Sequence, residues 1–526
     1  MTKKINLIFL VFLFLYSIYC AFQLGYTWDV LFYYNVGKER LDYLLSLGLN
    51  VVDSKIYAHR FLTGAYNTIA AFFAQFFPRK FLLEALYLFN LIFSSIAIFG
   101  IYKITKELFN KEIAKITFVI CFFNPIFFGH MSMNGIDTII TFANVWFFYK
   151  ILRYLKNQQI EEKRKSYVIY CGLLLGLGLG VRYSFIITLI PIFLFVLLEI
   201  FYLKILINKK FSKVSFFKDS TKVFLIAYLF MVLFWPQTHG NIFIMPFKLA
   251  IESFLFGFGT PLILFNGNIF QTNELPGSYL LVNLFYKMPE LFIFSFILFF
   301  FLIKKIFLYF KKKIEGFKSK VFLILGIILF PNLFILISPY SPYDGLRLFL
   351  FIIPFICIIP SLLIFFVYKK IKNNNSYKII FSILIFLKVF LLFNFFALTP
   401  YHYVYLNIFA GKYSDNSKKF ENDYWGVSTK KLIAHIKKND EMFKDEVKIA
   451  VCGIPDDIQN IYLKKIKNLK YKLVDRNENF DFIIMNNRVI WDKTTQKIQT
   501  CFEKYSGDDL ITVKRRGLII SKITKI

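Results

Sequence analysis

The chain has 526 residues, of which 57% are hydrophobic and 20% aromatic, and 70 of them are phenylalanine. This composition excludes a soluble protein of any domain count and indicates a polytopic membrane protein. The formal net charge of +31 would suit a nucleic-acid partner. The lysines, however, lie in alternate loops between apolar runs, so no nucleic-acid partner is predicted.

Apolar runs near or above the roughly 20 residues that cross about 30 Å of hydrocarbon recur along the first three quarters of the chain. The first run resembles a signal peptide, but no small-residue cleavage site precedes Gly25, so an uncleaved helix is predicted. We predict an α-helical polytopic domain over residues 1–398 with about eleven transmembrane helices. The predicted spans lie near residues 5–25, 80–102, 113–129, 135–154, 167–181, 183–203, 222–237, 289–309, 321–338, 346–368 and 378–398.

Lysine is concentrated in the loops on one side of this predicted bundle, whereas the opposite loops, around His130, Arg182 and Tyr343, contain few lysines. By the positive-inside rule, the N-terminus lies in the cytoplasm and, after an odd number of spans, the C-terminal segment lies outside. A multi-pass protein of the plasma (inner) membrane is predicted. The lysine-rich segments are Lys3–Lys4, Lys103–Lys115, Lys156–Lys165, Lys204–Lys222, Lys304–Lys320 and Lys369–Lys378.

Two long segments between the spans are predicted to lie outside the bilayer, residues 26–79 and 238–288. The first contains a helix-period pattern that predicts a helix lying in the membrane interface. The second is rich in Gly, Pro and Asn and includes an apolar stretch from Phe243 to Phe265. It is either a re-entrant or interfacial pair or two further spans, and its few lysines favour the interfacial alternative. In the first segment, Tyr34, Leu41, Leu44 and Leu45 share one face, opposite Asn35, Lys38, Glu39, Asp42 and Ser46.

Residues 399–526 change in character, because short β-like runs alternate with helical stretches there, and they predict a small extracytoplasmic α/β domain. Its two cysteines, Cys452 and Cys501, are compatible with a disulfide in an oxidising compartment or with two buried thiols. The predicted strands are Val447–Cys452, Tyr471–Val474, Phe480–Met485, Leu510–Val513 and Leu518–Ile523, and the predicted helices are Asp456–Asn468 and Trp491–Glu503.

Polar residues gather at the outer ends of the predicted helices and form a candidate site. Each alone is compatible with a helix cap or a side chain that reaches water. For Asp29, Asp137 and Asp344 together a function is favoured, because ionisable groups at membrane depth rarely lack one. For His130 and Asn134 the two interpretations are balanced. The full set is Asp29, His130, Asn134, Asp137, Arg182, Tyr343, Asp344 and Arg347.

Three glycines, Gly172, Gly176 and Gly180, recur at a four-residue spacing. A nucleotide-binding loop is not indicated, since no strand precedes them and no acidic ribose ligand follows. The spacing puts all three on one face of a helix and predicts close helix packing. Arg182 then emerges at the end of that helix, where it could meet a phosphate.

Over residues 20–435 the order of these elements resembles that of GT-C membrane glycosyltransferases, in the branch related to protein O-mannosyltransferases and to the lipid A aminoarabinose transferase. The most specific part is Tyr405-Leu406-Asn407, then Gly411, then Phe420-Glu421-Asn422-Asp423-Tyr424-Trp425-Gly426. The other elements are Asp29, Pro125–Asp137, Gly176–Arg182, Gly267 with Pro276 and Tyr279, Lys287-Met288-Pro289, and Tyr343–Phe349. Two departures are visible: Val30 stands where the mannosyltransferases have a second acid after Asp29, and Ala410-Gly411 replaces a glycine pair.

The resemblance implies an inverting transfer of a sugar from a polyprenyl-phosphate donor to an acceptor hydroxyl at the outer membrane face. Asp29 is the predicted general base, and Asp137 is predicted to orient hydroxyl groups. The charge on the leaving phosphate would be stabilised by Arg182 and Arg347, with Lys287 and His130 behind them. The remaining substrate-binding candidates are Asn134, Tyr343, Asp344, Tyr424 and Trp425.

Asp423, Tyr424 and Trp425 are favoured as a structural corner between domain and bilayer, although aromatic faces also stack on sugars. No cofactor is predicted, and a divalent metal shared by Asp29 and Asp137 is left open. The acceptor class, whether glycan, lipid or protein, is also open. The alternatives are a transporter or flippase of a lipid-linked solute and a non-catalytic membrane scaffold. Polar residues at one face, with no repeat or midplane charge, favour an enzyme over a transporter.

Overall fold

The computed structural model describes residues 2–50, 60–255, 261–338, 342–436, 446–467, 469–492 and 495–526. Parts of three predicted segments therefore lie outside the described residues. They are residues 51–59 of the first outer segment, residues 256–260 within the apolar stretch of the second, and residues 437–445, 468 and 493–494 of the C-terminal region.

Helices dominate the chain up to residue 397. The long and short α-helices are α1 Thr2–Gln23, α2 Val30–Leu45, α3 Ala65–Ala74, α4 Leu82–Leu108, α5 Lys111–Phe122, α6 Pro125–His130, α7 Gly135–Asn157, α8 Glu161–Val181, α9 Phe185–Thr188, α10 Ile190–Leu198, α11 Lys213–Leu233, α12 Met245–Leu255, α13 Tyr279–Lys287, α14 Glu290–Phe301, α15 Ile303–Lys311, α16 Phe317–Ile337, α17 Ile353–Ile356, α18 Ile358–Lys370 and α19 Asn375–Ala397. Tighter 3-10 turns include Arg79–Phe81, Arg347–Ile352, His402–Val404, Ile408–Ala410 and Tyr413–Lys418, and a π-helical turn covers Glu199–Leu203.

All eleven predicted spans fall on helical segments, but the count of eleven is supported only in part. Among the described residues, four helical stretches are long and apolar enough to cross a membrane: Arg79–Leu108, Phe317–Ile337, Arg347–Lys370 and Asn375–Ala397. A fifth results if α13 and α14, which meet at a bend of 111°, count as one broken span. The other spans are interrupted or carry polar residues. Pro125 and Pro191, for example, each stand at the start of a new short helix, because proline cannot continue the hydrogen bonding of a helix interior.

The lysine-rich ends of the helices lie together on one side of the bundle. Ion pairs connect the C-terminal ends of α4 and α7, the N-terminal ends of α8 and α11, and the end of α18 with the start of α5. These contacts agree with the topology inferred from lysine positions, since they place the basic loops side by side. The pairs are Glu107 with Arg153 (3.3 Å) and Lys156 (2.7 Å), Arg164 with Asp219 (3.5 Å), and Lys369 with Glu112 (3.4 Å).

The glycine stripe on α8 packs against α11, as its spacing predicts. A Cβ atom placed on Gly176 would lie 2.7 Å from Cβ of Phe230 and 3.0 Å from Cα of Ala227, and one on Gly172 would lie 2.7 Å from Ile226. Such distances leave no room for a side chain, so the two helix backbones approach closely. Close packing fixes the end of α8, from which Arg182 emerges.

The first outer segment contains the predicted helix, α2, but only part of its predicted apolar face is buried. Its buried residues include Val36, Gly37, Arg40 and Leu41, whereas Leu45 is 67% exposed. The reason is that α3 packs against α2 at Gly37, where a Cβ atom would collide with the backbone of Asn67. The helix is therefore covered by protein on a side that the apolar pattern alone did not indicate.

The described part of the second outer segment contains no helix that is by itself long enough to be a further span. It contains α12, then the hairpin β1 Leu262–Phe265 and β2 Asn268–Gln271, then α13. Asn266 and Gly267 form the two-residue turn with φ values of +50° and +86°, which is the pairing that tight hairpins favour.

The C-terminal region has the predicted α/β character. Five strands form one mixed sheet in the order β4-β3-β5-β9-β8, in which β3 pairs parallel with β4 and β5, and β9 pairs antiparallel with β5 and β8. A disulfide joins Cys452 to Cys501. The bounds are α20 Thr429–Ile436, β3 Val447–Cys452, α21 Asp456–Leu463, β4 Tyr471–Leu473, β5 Phe482–Asn486, β6 Val489–Asp492, β7 Lys497–Thr500, α22 Cys501–Lys504, β8 Asp508–Arg515 and β9 Leu518–Lys525.

The predicted helix over Trp491–Glu503 is wrong. That stretch is the β6–β7 hairpin, with Trp491 opposite Ile498, followed by the single helical turn of α22. Thr500 caps that turn through a capping box with Glu503, which explains why the helical signal is confined to its last residues.

Candidate active site

Asp137 is the centre of a buried charged cluster at the ends of the helices opposite the lysine-rich side. It lies in the first turn of α7, where the side chain of Asn134 caps the helix and also donates to Asp137 Oδ2 at 3.0 Å. Arg182, at the end of α8, approaches Asp137 Oδ1 at 3.1 Å, and Arg347 approaches Oδ2 at 3.6 Å. The carboxylate of Asp137 is thus held by two guanidinium groups and an amide.

The cluster continues from Arg347 to a fifth charged side chain. Arg347 Nη1 lies 2.8 Å from Asp344 Oδ2, and Nη1 of Arg488, in the C-terminal region, lies 3.4 Å from Asp344 Oδ1. We refer to the line Arg182, Asp137, Arg347, Asp344 and Arg488 as the charge chain. Three guanidinium groups and two carboxylates leave it one net positive charge, which suits an anionic ligand or a neighbouring carboxylate.

Asp29 is that neighbouring carboxylate. It precedes α2 and is half-buried, and its side chain makes no ion pair or hydrogen bond with any described residue. Burial raises the pKa of Asp29, and Asp344 and Asp137 raise it further, while Arg347 and Arg488 oppose the increase. An unpaired carboxylate with a raised pKa beside fixed cations has the properties of a general base.

The segment before Asp29 is held by the Asp423–Gly426 signature. The backbone N–H groups of Gly25 and Trp28 donate to the carbonyls of Val427 and Trp425, at 2.9 Å and 3.1 Å. The indole of Trp425 also lies 4.4 Å from the guanidinium carbon of Arg347. The signature therefore places Asp29 beside the charge chain.

A cleft of about 450 Å³ opens next to the charge chain. Thr27 and Val30, on either side of Asp29, line it together with the phenol-bearing side chains of α2 and α3 and the start of α7. Hydroxyl and amide groups on aromatic walls suit a sugar or another polyhydroxylated ligand. Its polar lining residues are Thr27, Tyr33, Tyr34, Tyr66, Asn67, Asn134, Asp137, Arg347 and Trp425.

A second cavity of about 260 Å³ lies on the other side of Asp344. Lys287 lines it, is 6% exposed, and has no hydrogen bond or ion pair with any described residue. Its ammonium group lies beside Gly345, where φ is +67° and a Cβ atom would collide with it. Glu421 lines the same cavity, and burial raises its pKa to about 7. A buried, unpaired ammonium group in a cavity is suited to an anion.

The Tyr405-Leu406-Asn407 motif holds the bend that carries Lys287. Asn407 Nδ2 donates to the carbonyls of Phe285 and Met288, the latter at 2.9 Å, and its backbone N–H donates to Tyr286. Tyr405 donates its hydroxyl to Glu290 at 2.8 Å, on the first turn of α14. These bonds satisfy the backbone groups that the break between α13 and α14 leaves open.

The Asp423-Tyr424-Trp425 corner makes the structural contacts that the sequence favours for it. The carboxylate of Asp423 accepts hydrogen bonds from the backbone N–H groups of Val427 and Ser428, at 3.1 Å and 3.0 Å, and from the hydroxyls of Ser428 and Tyr403. Trp425 lines the first cavity and Tyr424 the second. The two aromatic residues are therefore also available to ligands.

His130 is placed differently from the other candidates for phosphate binding. It is 1% exposed, its Nδ1 donates to the carbonyl of Ile126 at 3.0 Å, and its Nε2 accepts from the Tyr424 hydroxyl at 2.8 Å. A carbonyl can only accept, so Nδ1 carries the proton, and burial lowers the pKa of His130 to about 3, so the ring is neutral and Nε2 accepts. His130 positions Tyr424 and lines neither cavity.

The structure thus brings together Asp29, Asn134, Asp137, Arg182, Asp344 and Arg347, and it places Tyr343 against Arg347, with 5.0 Å between ring centre and guanidinium carbon. Sequence reasoning missed Arg488 and Glu421. A polar run, Asn486-Asn487-Arg488, follows the buried strand β5 and was the available signal for Arg488.

The carboxylates do not suit a divalent metal. No group of three or more His, Cys, Asp or Glu side chains is arranged to hold one among the described residues. Both oxygens of Asp137 already contact guanidinium groups, and a cation placed there would meet like charge. The donor set is therefore unfavourable for a metal bridging Asp29 and Asp137.

Comparison with known proteins agrees with this architecture. Residues 65–238 match the family model of dolichyl-phosphate-mannose-protein mannosyltransferase. No sequence among the curated proteins matches the chain. The fold of the whole chain is that of ArnT from Cupriavidus metallidurans, at 9% identity over 100% of this chain and 98% of the other. The TM-score is 0.53 for apo ArnT and 0.51 for ArnT bound to undecaprenyl phosphate.

A third structure, the oligosaccharyltransferase AglB from Archaeoglobus fulgidus in complex with an inhibitory peptide and a dolichol-phosphate, is more distant. It has a TM-score of 0.49 and 12% identity over 99% of this chain and 76% of the other. The described residues contain several helices long and apolar enough to cross a membrane, on the fold that the chain shares with ArnT. The resemblance to the protein O-mannosyltransferase and ArnT branch of the GT-C glycosyltransferases is confirmed.

Proposed function

We propose that this protein is an inverting glycosyltransferase that moves a sugar from a polyprenyl-phosphate donor to an acceptor hydroxyl at the outer face of the membrane. The observation that carries the proposal is the unpaired carboxylate of Asp29 beside the charge chain. The mannosyltransferase family match and the undecaprenyl phosphate bound to ArnT support a lipid-phosphate-dependent transfer.

The reaction follows from these positions as a single displacement. The acceptor hydroxyl attacks the anomeric carbon while Asp29 takes its proton, so a new carbon–oxygen bond forms as the bond to the phosphate oxygen breaks. The polyprenyl phosphate leaves from the opposite face, which inverts the anomeric carbon. Asp137, fixed by Arg182, Arg347 and Asn134, orients hydroxyl groups.

The leaving phosphate gains negative charge, and preorganised cations stabilise that charge. Lys287 is the strongest candidate to bind it, because its buried ammonium group faces the rings of Phe420 and Tyr424, at 5.7 Å and 5.9 Å, and has no hydrogen bond or ion pair among the described residues. Arg347 and Arg182 contribute positive charge from the other cavity while they hold Asp137. Because those guanidinium groups occupy Asp137, we also propose that no divalent metal is needed, so transfer should survive dialysis against a chelator.

The proposed orientation in the inner membrane rests on two features. The lysine-rich helix ends share one side, and cytoplasmic loops carry the excess of Lys and Arg in membrane proteins. The Cys452–Cys501 disulfide belongs to the opposite side, and disulfides persist in oxidising, extracytoplasmic compartments. The site and the C-terminal α/β region are accordingly proposed to be extracytoplasmic.

The deciding experiment is sugar transfer in reconstituted membranes with radiolabelled polyprenyl-phosphate hexose and pentose donors. Asp29→Asn is expected to abolish donor-dependent labelling of the acceptor. Asp42→Asn is the matched control, since Asp42 lies on the same helix away from the charge chain, and it should retain activity. Movement of a lipid-linked solute across the bilayer without transfer would favour a flippase, and binding without either activity would favour a scaffold.

A further inference from the structure

We propose that Arg488, supplied by the C-terminal sheet, is a positioning residue of the active site. It completes the charge chain and thereby sets the orientation of Asp344 and Arg347 and the proton affinity of Asp29. This inference rests on the proposed glycosyl transfer and assigns part of its machinery to a region that the sequence predicts only as a separate α/β domain.

The geometry of Arg488 fits a residue built into the site. Its side chain is 18% exposed, and Nη1 lies 3.4 Å from Asp344 Oδ1 and 2.9 Å from the carbonyl oxygen of Tyr424. Its guanidinium carbon lies 5.2 Å from the ring centre of Trp28, next to Asp29. Arg488 therefore contacts two segments of the membrane part, at Trp28 and Asp344, and also the corner residue Tyr424, at the point where the three meet.

Rigid contacts on the sheet side hold Arg488 in place. Its carbonyl accepts from the backbone N–H of Cys501 at 2.9 Å, and Cys501 is disulfide-bonded to Cys452. The two residues before it dock onto the corner segment: Asn486 Nδ2 donates to the carbonyl of Asp423 at 2.6 Å, and Asn487 Nδ2 donates to that of Phe420 at 3.0 Å. Arg488 is therefore held by its own carbonyl and by the two residues before it, unlike a flexible surface arginine.

These contacts give Arg488 a defined effect on its neighbours. Asp344 presents one carboxylate oxygen to Arg347 and the other to Arg488. Without Arg488, Asp344 Oδ1 loses its neighbouring cation, so the carboxylate is no longer held on both sides. Arg347, which contacts both Asp344 and Asp137, then loses a partner of fixed position. Misplacement of about 1 Å in such a group is enough to slow a reaction on the order of 100-fold.

The second effect is on the charge around Asp29. The groups that face this carboxylate are Arg347, Arg488, Asp344, Asp137 and Tyr33. Removing Arg488 leaves the charge chain with two guanidinium groups and two carboxylates, and so without net charge. Ionisation of Asp29 is then less favourable, and activity is expected to fail at a higher pH as the solution is acidified.

The test compares Arg488→Met and Arg488→Lys with the wild type in the transfer assay, using Arg476→Met as a control on the same sheet region. For Arg488→Met we expect kcat to fall on the order of 100-fold with a change of less than about threefold in the donor KM, and the acid limb of the kcat/KM profile to move to higher pH. Arg488→Lys should restore the acid limb but not the full kcat, because lysine keeps the charge and lacks the planar fork.

Thermal unfolding of each variant separates positioning from folding, and Arg488→Lys keeps the test informative if Arg488→Met does not fold. An active wild type together with an unchanged kcat and acid limb in Arg488→Met would overturn this inference alone. So would a loss in Arg488→Lys that is matched by a lower melting temperature and an unmoved pH profile. A wild type that transfers no sugar from any donor would overturn the proposed function and this inference together.

Discussion

At the scale of single residues, the site depends on which charges are paired and which are not. Asp137 and Asp344 are each held by two arginines, whereas Asp29 and Lys287 have no charged partner within ion-pair distance among the described residues. Paired groups keep a fixed position and charge, while unpaired groups can exchange a proton or bind an ion. In the proposed reaction, this division gives the chemistry to Asp29 and Lys287 and the positioning to the charge chain.

The pH dependence of transfer should reflect Asp29. The base must be ionised, and burial, with Asp344 and Asp137, raises its pKa. Activity is therefore expected to be lost as pH falls through a value above that of an exposed aspartate. A kcat/KM profile measured with a neutral acceptor checks this. An acid limb at the ordinary aspartate pKa would contradict the assignment.

Lys287→Met should weaken use of the donor lipid phosphate. The substitution keeps the length of the side chain and removes the unpaired ammonium group from the second cavity. We expect kcat/KM for the donor to fall on the order of 100-fold, as for other preorganised groups that stabilise developing charge. Lys248→Met is the control, because the side chain of Lys248 is 60% exposed. Equal activity of the two variants would exclude Lys287 from phosphate binding.

At the scale of elements, the positions of the site residues depend on helix ends and breaks. Arg182 is placed by the close contact between α8 and α11, and Lys287 by the bend between α13 and α14 that Asn407 supports. The supporting residues are remote in sequence from the residues that they position: α11 supports Arg182, and Asn407 supports Lys287. The element that carries a functional group and the element that fixes it can therefore be tested separately.

Gly176→Ala should disturb the site although Gly176 itself packs against α11 and not against the site residues. The added methyl group would lie 2.7 Å from Phe230 Cβ, so α8 and α11 must separate, at a cost of about 1–3 kcal/mol in unfolding free energy. Transfer should fall along with stability, because Arg182 moves with α8. Gly326→Ala in α16 is the matched control, since no atom lies within 4 Å of its added Cβ. Thermal unfolding and transfer assays of both proteins check the prediction, and equal stability would contradict it.

The sequence predicted the secondary-structure elements better than it predicted the tertiary contacts between them. Apolar run length located helical segments, of which four or five are long and apolar enough to cross a membrane, and glycine spacing predicted the α8–α11 contact. The buried face of α2 was predicted only in part, because it is set by α3, whose packing depends on tertiary structure. The hairpin at residues 489–500 was taken for a helix, since a short helical signal from Cys501–Lys504 lies beside it. Arg488 was not predicted, because the polar run that follows β5 indicates the end of a strand but not that this end lies at the membrane site.

At the scale of the whole molecule, the C-terminal region and the membrane helices form one functional unit. The carboxyl ends of the parallel strands β3 and β5 face the Asp423–Gly426 corner, and the corner in turn holds Asp29. The Cys452–Cys501 disulfide joins the ends of β3 and β7 at this junction. This covalent bond stabilises the contact between the C-terminal sheet and the Asp423–Gly426 corner, on which the position of Asp29 depends.

Removing the disulfide should lower both stability and transfer. In Cys452→Ser/Cys501→Ser we expect a loss of about 2–4 kcal/mol in unfolding free energy and a lower kcat, because the Cys501 N–H that holds Arg488 is released. Mild reductant should reproduce the effect in the wild type and should do nothing further to the double variant. An active, fully stable double variant would show that the sheet docks without this covalent link.

The charge chain joins residues of α7 and the end of α8 to a residue in the last third of the sequence, and this has a consequence for biosynthesis. Asp137 and Arg182 enter the bilayer region long before Asp344 and Arg488 leave the ribosome. Until those later partners arrive, the early charges have no complete set of counterions at membrane depth. The charge chain is therefore completed late in synthesis, when the C-terminal sheet brings Arg488 to Asp344.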